Sequence, residues 1–175
     1  MNAKHLMVKN FLDKAKSLSK LRCDMKKNNS INIDSTAKVS GLISVRRGDR
    51  NKVEIQEHSF MTGKIVFDGN DNVFQMSTSC KSTGKVLIKG NKSRVTIGDC
   101  SSFQSIYLLC EEAAYVTIGK YCMFSRGIEV RTSDSHSVVD VETGARINIS
   151  APISVGDHVW VGAGAFISKG VSLTK

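Results

Sequence analysis

His136 is the residue best placed to do chemistry. It stands between Ser135 and Ser137, two residues after Asp134, in a polar stretch that also carries Arg146 and Asn148. An imidazole titrates near ~6.5, so it can accept a proton at neutral pH as a catalytic base. A histidine in such a place can also do no more than hydrogen-bond its own loop. Asp134, Arg146 and Asn148 divide the same way, between a share in that chemistry and bracing the loop. The other three histidines offer less. His5 lies in a lysine-rich N-terminus, and His58 and His158 fall on outward positions of a regular repeat. The five cysteines, at 23, 80, 100, 110 and 122, contain no CxxC pair. Odd in number and without that spacing, they do not read as a disulfide framework or a metal site.

The stretch that holds His136 interrupts a repeat. Ile55, Met76, Ile97 and Ile118 are 21 residues apart. Six further on come Met61, Ser82, Phe103 and Phe124, and six beyond those Phe67, Ile88, Leu109 and Val130. A column of small residues, Ser59, Cys80, Ser101 and Cys122, keeps the same phase, as do Val53, Phe74, Val95 and Val116. An earlier turn shows at Ile33, Val39 and Val45, and a later one at Val155, Val161, Ile167 and Leu173. Apolar residues every six positions describe short strands joined by bends, three to a turn. Each inward side chain then stacks on its equivalent one strand spacing away, ~4.8 Å. Three residues beyond 18 fall in 68–75, 89–96 and 110–117, where Gly69-Asn70 and Gly90-Asn91 suit bends of positive φ. Cys80 and Cys122 read as corner filler. The expected fold is all-β, a parallel β-helix of about six coils.

From Ile118 to Val155 is 37 residues, 16 more than one turn. The excess lies in 131–152, a loop expected to project from one edge of the prism, where function tends to sit. At the other end, residues 1–27 hold eight Lys or Arg against Asp13 and Asp24, most of the net charge of +9. Met7, Phe11, Ala15, Leu18 and Leu21 can share one face of a helix there. We expect a short basic helix over 1–27 that caps the first coil, with membrane attachment the minor alternative, and a β-helix domain over 28–175. The single proline and 6% aromatic content offer little for base stacking, so nucleic acid is not an expected partner. No apolar run nears the roughly 18 residues of a membrane helix, and no secretory signal is visible, so a cytoplasmic location is expected.

The hexapeptide repeats, the loop TSDSHSVVDVETGARIN and the following PISVGDHVWVGAGAFISKGV together resemble the left-handed β-helix acetyltransferases. The nearest subgroup is similar to the bacterial O-acetyltransferases that modify capsule, O-antigen, sialic-acid or exopolysaccharide sugars. The resemblance implies left-handed winding, acetyl-CoA as donor, a sugar hydroxyl as acceptor, no metal, and a homotrimer with sites between neighbouring prisms. It implies His136 as general base, with backbone N–H groups or a nearby side chain steadying the developing oxyanion. It places Trp160 as a wall for substrate or pantetheine, Ala163, Gly164 and Lys169 along the CoA groove, and Asp134, Arg146 and Asn148 where they would orient His136 or bind sugar hydroxyls. Members of the family continue for another coil or two, so the C-terminal coils read as truncated at Lys175. A non-catalytic solenoid, a nucleotide-sugar N-acetyltransferase and a zinc-dependent β-helix enzyme are the alternatives. The last would need three histidines at a subunit boundary, and only His136 and His158 lie in suitable territory.

Overall fold

The computed structural model describes residues 21–174. The chain winds as a parallel β-solenoid. One wall is a seven-stranded sheet of β2 (Ser30–Ile33), β4 (Lys52–Ile55), β6 (Val73–Met76), β8 (Arg94–Ile97), β10 (Tyr115–Ile118), β13 (Ile153–Val155) and β16 (Ser172–Leu173). Along it Ile33, Ile55, Met76, Ile97, Ile118, Val155 and Leu173 lie in one register, rung upon rung. The repeat therefore holds across the 37-residue gap. The coil count is about seven rather than the expected six, because Ile31–Ile33 and Ser172–Leu173 add rungs at the two ends.

The other two walls are continuous in the lower coils. β1 (Leu21–Asp24) leads into a sheet of β3 (Lys38–Arg47), β5 (Phe60–Asp68), β7 (Lys81–Lys89) and β9 (Ser102–Glu111). Each long strand turns a corner, and in β3, β5 and β7 glycine makes this possible. Gly41, Gly63 and Gly84 have φ of +107, +138 and +142, and a Cβ on Gly63 would lie 1.8 Å from the carbonyl oxygen of Gly84. Only a residue without a side chain fits that stack. Above β9 the walls break into β11 (Met123–Phe124), β12 (Ile128–Arg131), β14 (Trp160–Val161) and β15 (Phe166–Ile167).

Inside, Phe67, Phe74, Met76, Ile88, Ile118 and Ile153 are fully buried. Each such side chain contributes on the order of 1.5–3 kcal/mol. The corner column Ser59, Cys80, Ser101 and Cys122 is buried as expected, and it does more than fill space. Ser59 Oγ donates to Ser77 O (2.7 Å) and accepts from Cys80 N–H (3.1 Å); Cys80 Sγ donates to Gly98 O (3.1 Å); Ser101 Oγ donates to Gly119 O (2.8 Å) and accepts from Cys122 N–H (3.0 Å). A parallel ladder fills the opposite corner. Asn72 N–H donates to Asn51 Oδ1 (3.0 Å), and Asn72 Oδ1 accepts from Ser93 N–H (2.9 Å).

Two expectations are corrected. Leu109 does not share a core column with Ile88 and Val130. An extra residue at Gln104–Ser105 moves Cys110 opposite Ile88, sets Leu108 opposite Val130 and turns Leu109 outward. The next corner is one residue shorter, so the turn still totals 21 and hides the bulge from the spacing. The helix expected over 1–27 lies outside the described residues for 1–20. Within them Leu21–Asp24 is a strand, because its backbone completes the open edge of β3 from Gly41 to Ser44.

Candidate active site

The excursion leaves the solenoid after β12 and returns at β13. Its root is anchored in the wall. Thr132 and Ser133 are buried. Thr132 Oγ1 accepts from Glu111 N–H at 2.9 Å, and Ala151 N–H donates back to Thr132 O at 3.0 Å. Ser133 Oγ accepts from Ser135 N–H at 3.0 Å, holding Ser135 at φ +62 and turning the chain outward just before His136. The far part folds on itself through an antiparallel bridge between Val139 and Arg146. Asp140 Oδ1 closes the tip by accepting from Glu142 N–H (3.1 Å) and Thr143 N–H (2.8 Å).

Four of the residues picked out by sequence meet around the backbone of His136. Asn148 Nδ2 donates to His136 O (2.7 Å) and to Asp134 Oδ2 (2.9 Å). Asn148 Oδ1 accepts from Val138 N–H (2.7 Å) and Arg146 Nε (3.3 Å). Lys169, from the coil above, donates to Asp134 Oδ2 at 2.5 Å. His136 itself is exposed, and among the described residues its ring takes no hydrogen bond. The loop is braced through the carbonyl of residue 136, which leaves the imidazole free to face a substrate. Lys169, expected along the CoA groove, is engaged with Asp134.

One member of this network was not legible as a site residue. Glu112 follows the end of β9 and reaches up to the loop: Arg146 Nη1 donates to Glu112 Oε1 and Ser150 Oγ to Glu112 Oε2, both at 2.7 Å. The coil below therefore holds the loop through Glu112, and the coil above holds it through Lys169. The hydrogen bond from Lys169, then that from Asn148, keeps the Asp134 carboxyl below its ordinary range. Arg146 and then Ser150 do the same for Glu112. Both carboxylates are charged at neutral pH, and the loop is pinned by ionic contacts at each side.

Trp160, Ala163 and Gly164 are not joined to this network within one chain. Trp160 opens β14 beside Met123, and the two are 73% and 57% exposed. In the bend before it, His158 stacks on Tyr121 with ring centroids 5.0 Å apart, so His158 is a surface ring held in an aromatic pair. Ala163 and Gly164 form the bend between β14 and β15. A Cβ built on Gly162 or Gly164 would meet nothing within 4 Å, so this bend offers bare, open backbone.

No protein-family model matches the chain. A polysialic acid O-acetyltransferase of Neisseria meningitidis is 28% identical over 144 residues, covering 82% of this chain and 67% of that protein. A polysialic acid O-acetyltransferase of Escherichia coli O1:K1 is 35% identical over 85 residues, 49% of this chain and 27% of that protein. This chain thus spans about two thirds of the first and little more than a quarter of the second. Among solved structures, the polysialic-acid-specific acetyltransferase NeuO superposes with a TM-score of 0.74 at 25% identity over 88% of this chain and 72% of NeuO. The polysialic acid O-acetyltransferase OatWY gives 0.71 over 87% of this chain and 72% of its own, and at 24% identity it speaks to the fold. A solenoid of hexapeptide coils, a histidine presented on one braced excursion and these relatives converge on one likeness: in sequence and in fold the chain is similar to the polysialic acid O-acetyltransferases.

Proposed function

We infer that this chain moves an acetyl group from acetyl-CoA to a hydroxyl of polysialic acid or a closely similar capsular polysaccharide, with His136 as general base. The acceptor is the one named for its relatives. The observation that carries the mechanism is the brace around residue 136, which fixes the backbone and leaves the ring exposed. Bound acetyl-CoA supplies an acetyl group already activated as a thioester. The chain's own part is to place and deprotonate the acceptor. His136 takes the proton of the attacking hydroxyl, while Asn148, Asp134 and Arg146 hold the backbone that sets its position. The open backbone at Gly162–Gly164 fits a narrow arm lying against it, since nothing occupies the space a side chain would fill. Lys169 acts first as a brace on Asp134.

The winding is taken as left-handed and the assembly as a homotrimer, on the family likeness. A trimer fits a surface on which Trp160 and Met123, side by side on one wall, are 73% and 57% exposed, and Phe166, on the adjoining wall, is 60% exposed. It would also bring the loop of one copy to the Gly162–Gly164 bend of the next. Light scattering on the purified chain checks this, and a monomer at micromolar concentration would exclude a shared site. The reaction belongs in the cytoplasm, where five free thiols, three of them buried, are at home.

The decisive test is His136→Ala with polysialic acid and acetyl-CoA, following release of the CoA thiol. Turnover should fall by roughly 10²–10⁴, with the melting temperature unchanged because the ring is exposed. Full turnover in the variant would remove His136 from the chemistry. Acetylation of an amino sugar nucleotide instead of the polymer would favour the N-acetyltransferase reading.

A further inference from the structure

One edge of the prism carries positive charge that its own side chains leave largely unneutralised. Two outward columns flank the glycine corner of the long strands. One joins Lys38 to Lys81 through Phe60 and ends on Met123 and Trp160. The other stacks Lys64 on Lys85 and ends on Phe166. Between them lie Ser40, Thr62 and Thr83, with Ser40 Oγ and Thr62 Oγ1 3.1 Å apart. Arg126 is exposed in the bend above, and its carbonyl accepts from Gly164 N–H at 3.0 Å. The stretches that make up this edge are 38–42, 60–64, 81–85, 102–107, 123–129 and 160–166. They contain one carboxylate, Glu129, which is paired with Arg131. Lys38, Lys64, Lys81 and Arg126 are exposed, with no carboxylate partner among the described residues.

Other parts of the wall pair their charges from coil to coil: Arg47 with Asp68 (2.8 Å), Arg50 with Asp71 (2.6 Å) and Lys120 with Asp99 (2.8 Å). Here Lys64 stands directly opposite Lys85 on the next strand, and like charges so placed repel. Lys85 Nζ lies over the Tyr107 ring at 5.4 Å, which leaves Lys64 with no counter-charge. We propose that an anionic polysaccharide lies along this edge, held by Lys38, Lys64, Lys81, Lys85 and Arg126, and is led by it to the Gly162–Gly164 bend. This rests on the reading of the chain as an enzyme acting on such a polymer, and it adds where the polymer is held. From Lys38 to Arg126 is four strand spacings, roughly 19 Å, so the edge suits several linked sugars. Sialic acid brings one carboxylate per sugar to a surface that presents cations coil after coil. The hydroxyls of Ser40, Thr62 and Thr83 can donate to and accept from sugar hydroxyls between them. Lysine is depleted at protein interfaces, so the lower edge does not read as a subunit contact. Single-stranded nucleic acid needs successive aromatic platforms, and over 38–42, 60–64 and 81–85 Phe60 stands alone.

Calorimetry of polysialic acid binding to the full chain, without acetyl-CoA, tests this. Two triple variants of equal charge are compared with the wild type. Lys38→Gln/Lys64→Gln/Lys81→Gln strips the edge, and Lys52→Gln/Lys92→Gln/Lys120→Gln removes as much charge elsewhere. Affinity should fall roughly tenfold in the first, the sum of three exposed ion pairs, and stay within about twofold in the second. An equal fall in both would mean that net charge alone attracts the polymer. No fall in the first would leave the edge without a role, and either result overturns the proposal. So would single-stranded DNA of matched charge that binds more tightly than polysialic acid and is lost with the edge lysines. Turnover separates the edge from the activity. An edge variant that acetylates the polymer with unchanged KM would sink the edge and leave the enzyme reading standing. Binding that depends on the edge, with no acetyl group moved by the wild type, would do the reverse. Where both hold, KM for the polymer rises in step with the lost affinity, while kcat and KM for acetyl-CoA stay put.

Discussion

Glycine serves opposite ends in the lower and upper coils. In the lower coils Gly41, Gly63 and Gly84 are stacked so closely that an added Cβ would lie 1.8–2.0 Å from the next rung's backbone. In the upper coils Gly162 and Gly164 have nothing within 4 Å of that position. The first set is small so that the prism can close on itself; the second is small and faces open space. Polar side chains divide in the same way. Asn51, Asn72, Ser59 and Ser101 are buried and turned into the wall, each meeting backbone of the next coil. Asp134, Asn148 and Arg146 are turned out of it and meet one another around His136. One repeat has been used twice, below as a rigid stack and above as a frame with an opening.

The sharpest way to break this contrast is Gly63→Val. The new Cβ meets backbone that cannot give way, at a φ that L residues avoid. The expected cost exceeds about 4 kcal/mol, and the variant should be recovered unfolded or insoluble, read by circular dichroism. A folded Gly63→Val protein would show that the corner is looser than the stack implies. Asn72→Ala is the next step down. It strips a partner from Ser93 N–H and from Gly90 O, both inside the wall, and should cost about 2–4 kcal/mol in urea denaturation. A loss below 0.5 kcal/mol would mean water takes over the ladder.

Much of this frame was legible in the sequence because stacking demands periodicity. The columns headed by Ile55 and by Ser59 had to repeat at the coil length, and they do. The excursion was legible as the stretch where that period fails, and Asp134, Arg146 and Asn148, read there as candidates for bracing it, do brace it. What stayed hidden had no period to betray it. The bulge at Gln104–Ser105 is offset by a shorter corner, so the count of 21 conceals it. Glu112 lies outside the excursion and joins the site only because winding sets its coil beneath the loop. The pairing of Lys169 with Asp134 is the same kind of contact, made from above across 35 residues.

Acid should act on both regions alike. Asp134 in the loop, Glu112 in the coil beneath it, and Asp68, Asp71 and Asp99 on the lower walls are each held below their ordinary range by a basic partner. A carboxyl depressed in the folded state adds stability that is complete above its unfolded value, about 4, and is lost as pH falls through the folded value. Melting temperature and loop amide protection should therefore stay flat from neutrality to about pH 5 and decline only below the ordinary carboxylate range. A decline that begins between pH 7 and 5 would mean these pairs are not what holds the loop.

Gly162→Ala probes the open bend with the smallest perturbation. Gly162 is not in the left-handed region, and its added methyl meets no atom, so stability should change by less than about 0.5 kcal/mol. If that backbone receives the donor's arm, the methyl takes up the space the arm needs. KM for acetyl-CoA should then rise while KM for the polymer and the melting temperature stay put. A variant with every constant unchanged would mean the bend is bare for no purpose in binding. The two glycine sets would then differ only in how tightly the wall above them is wound.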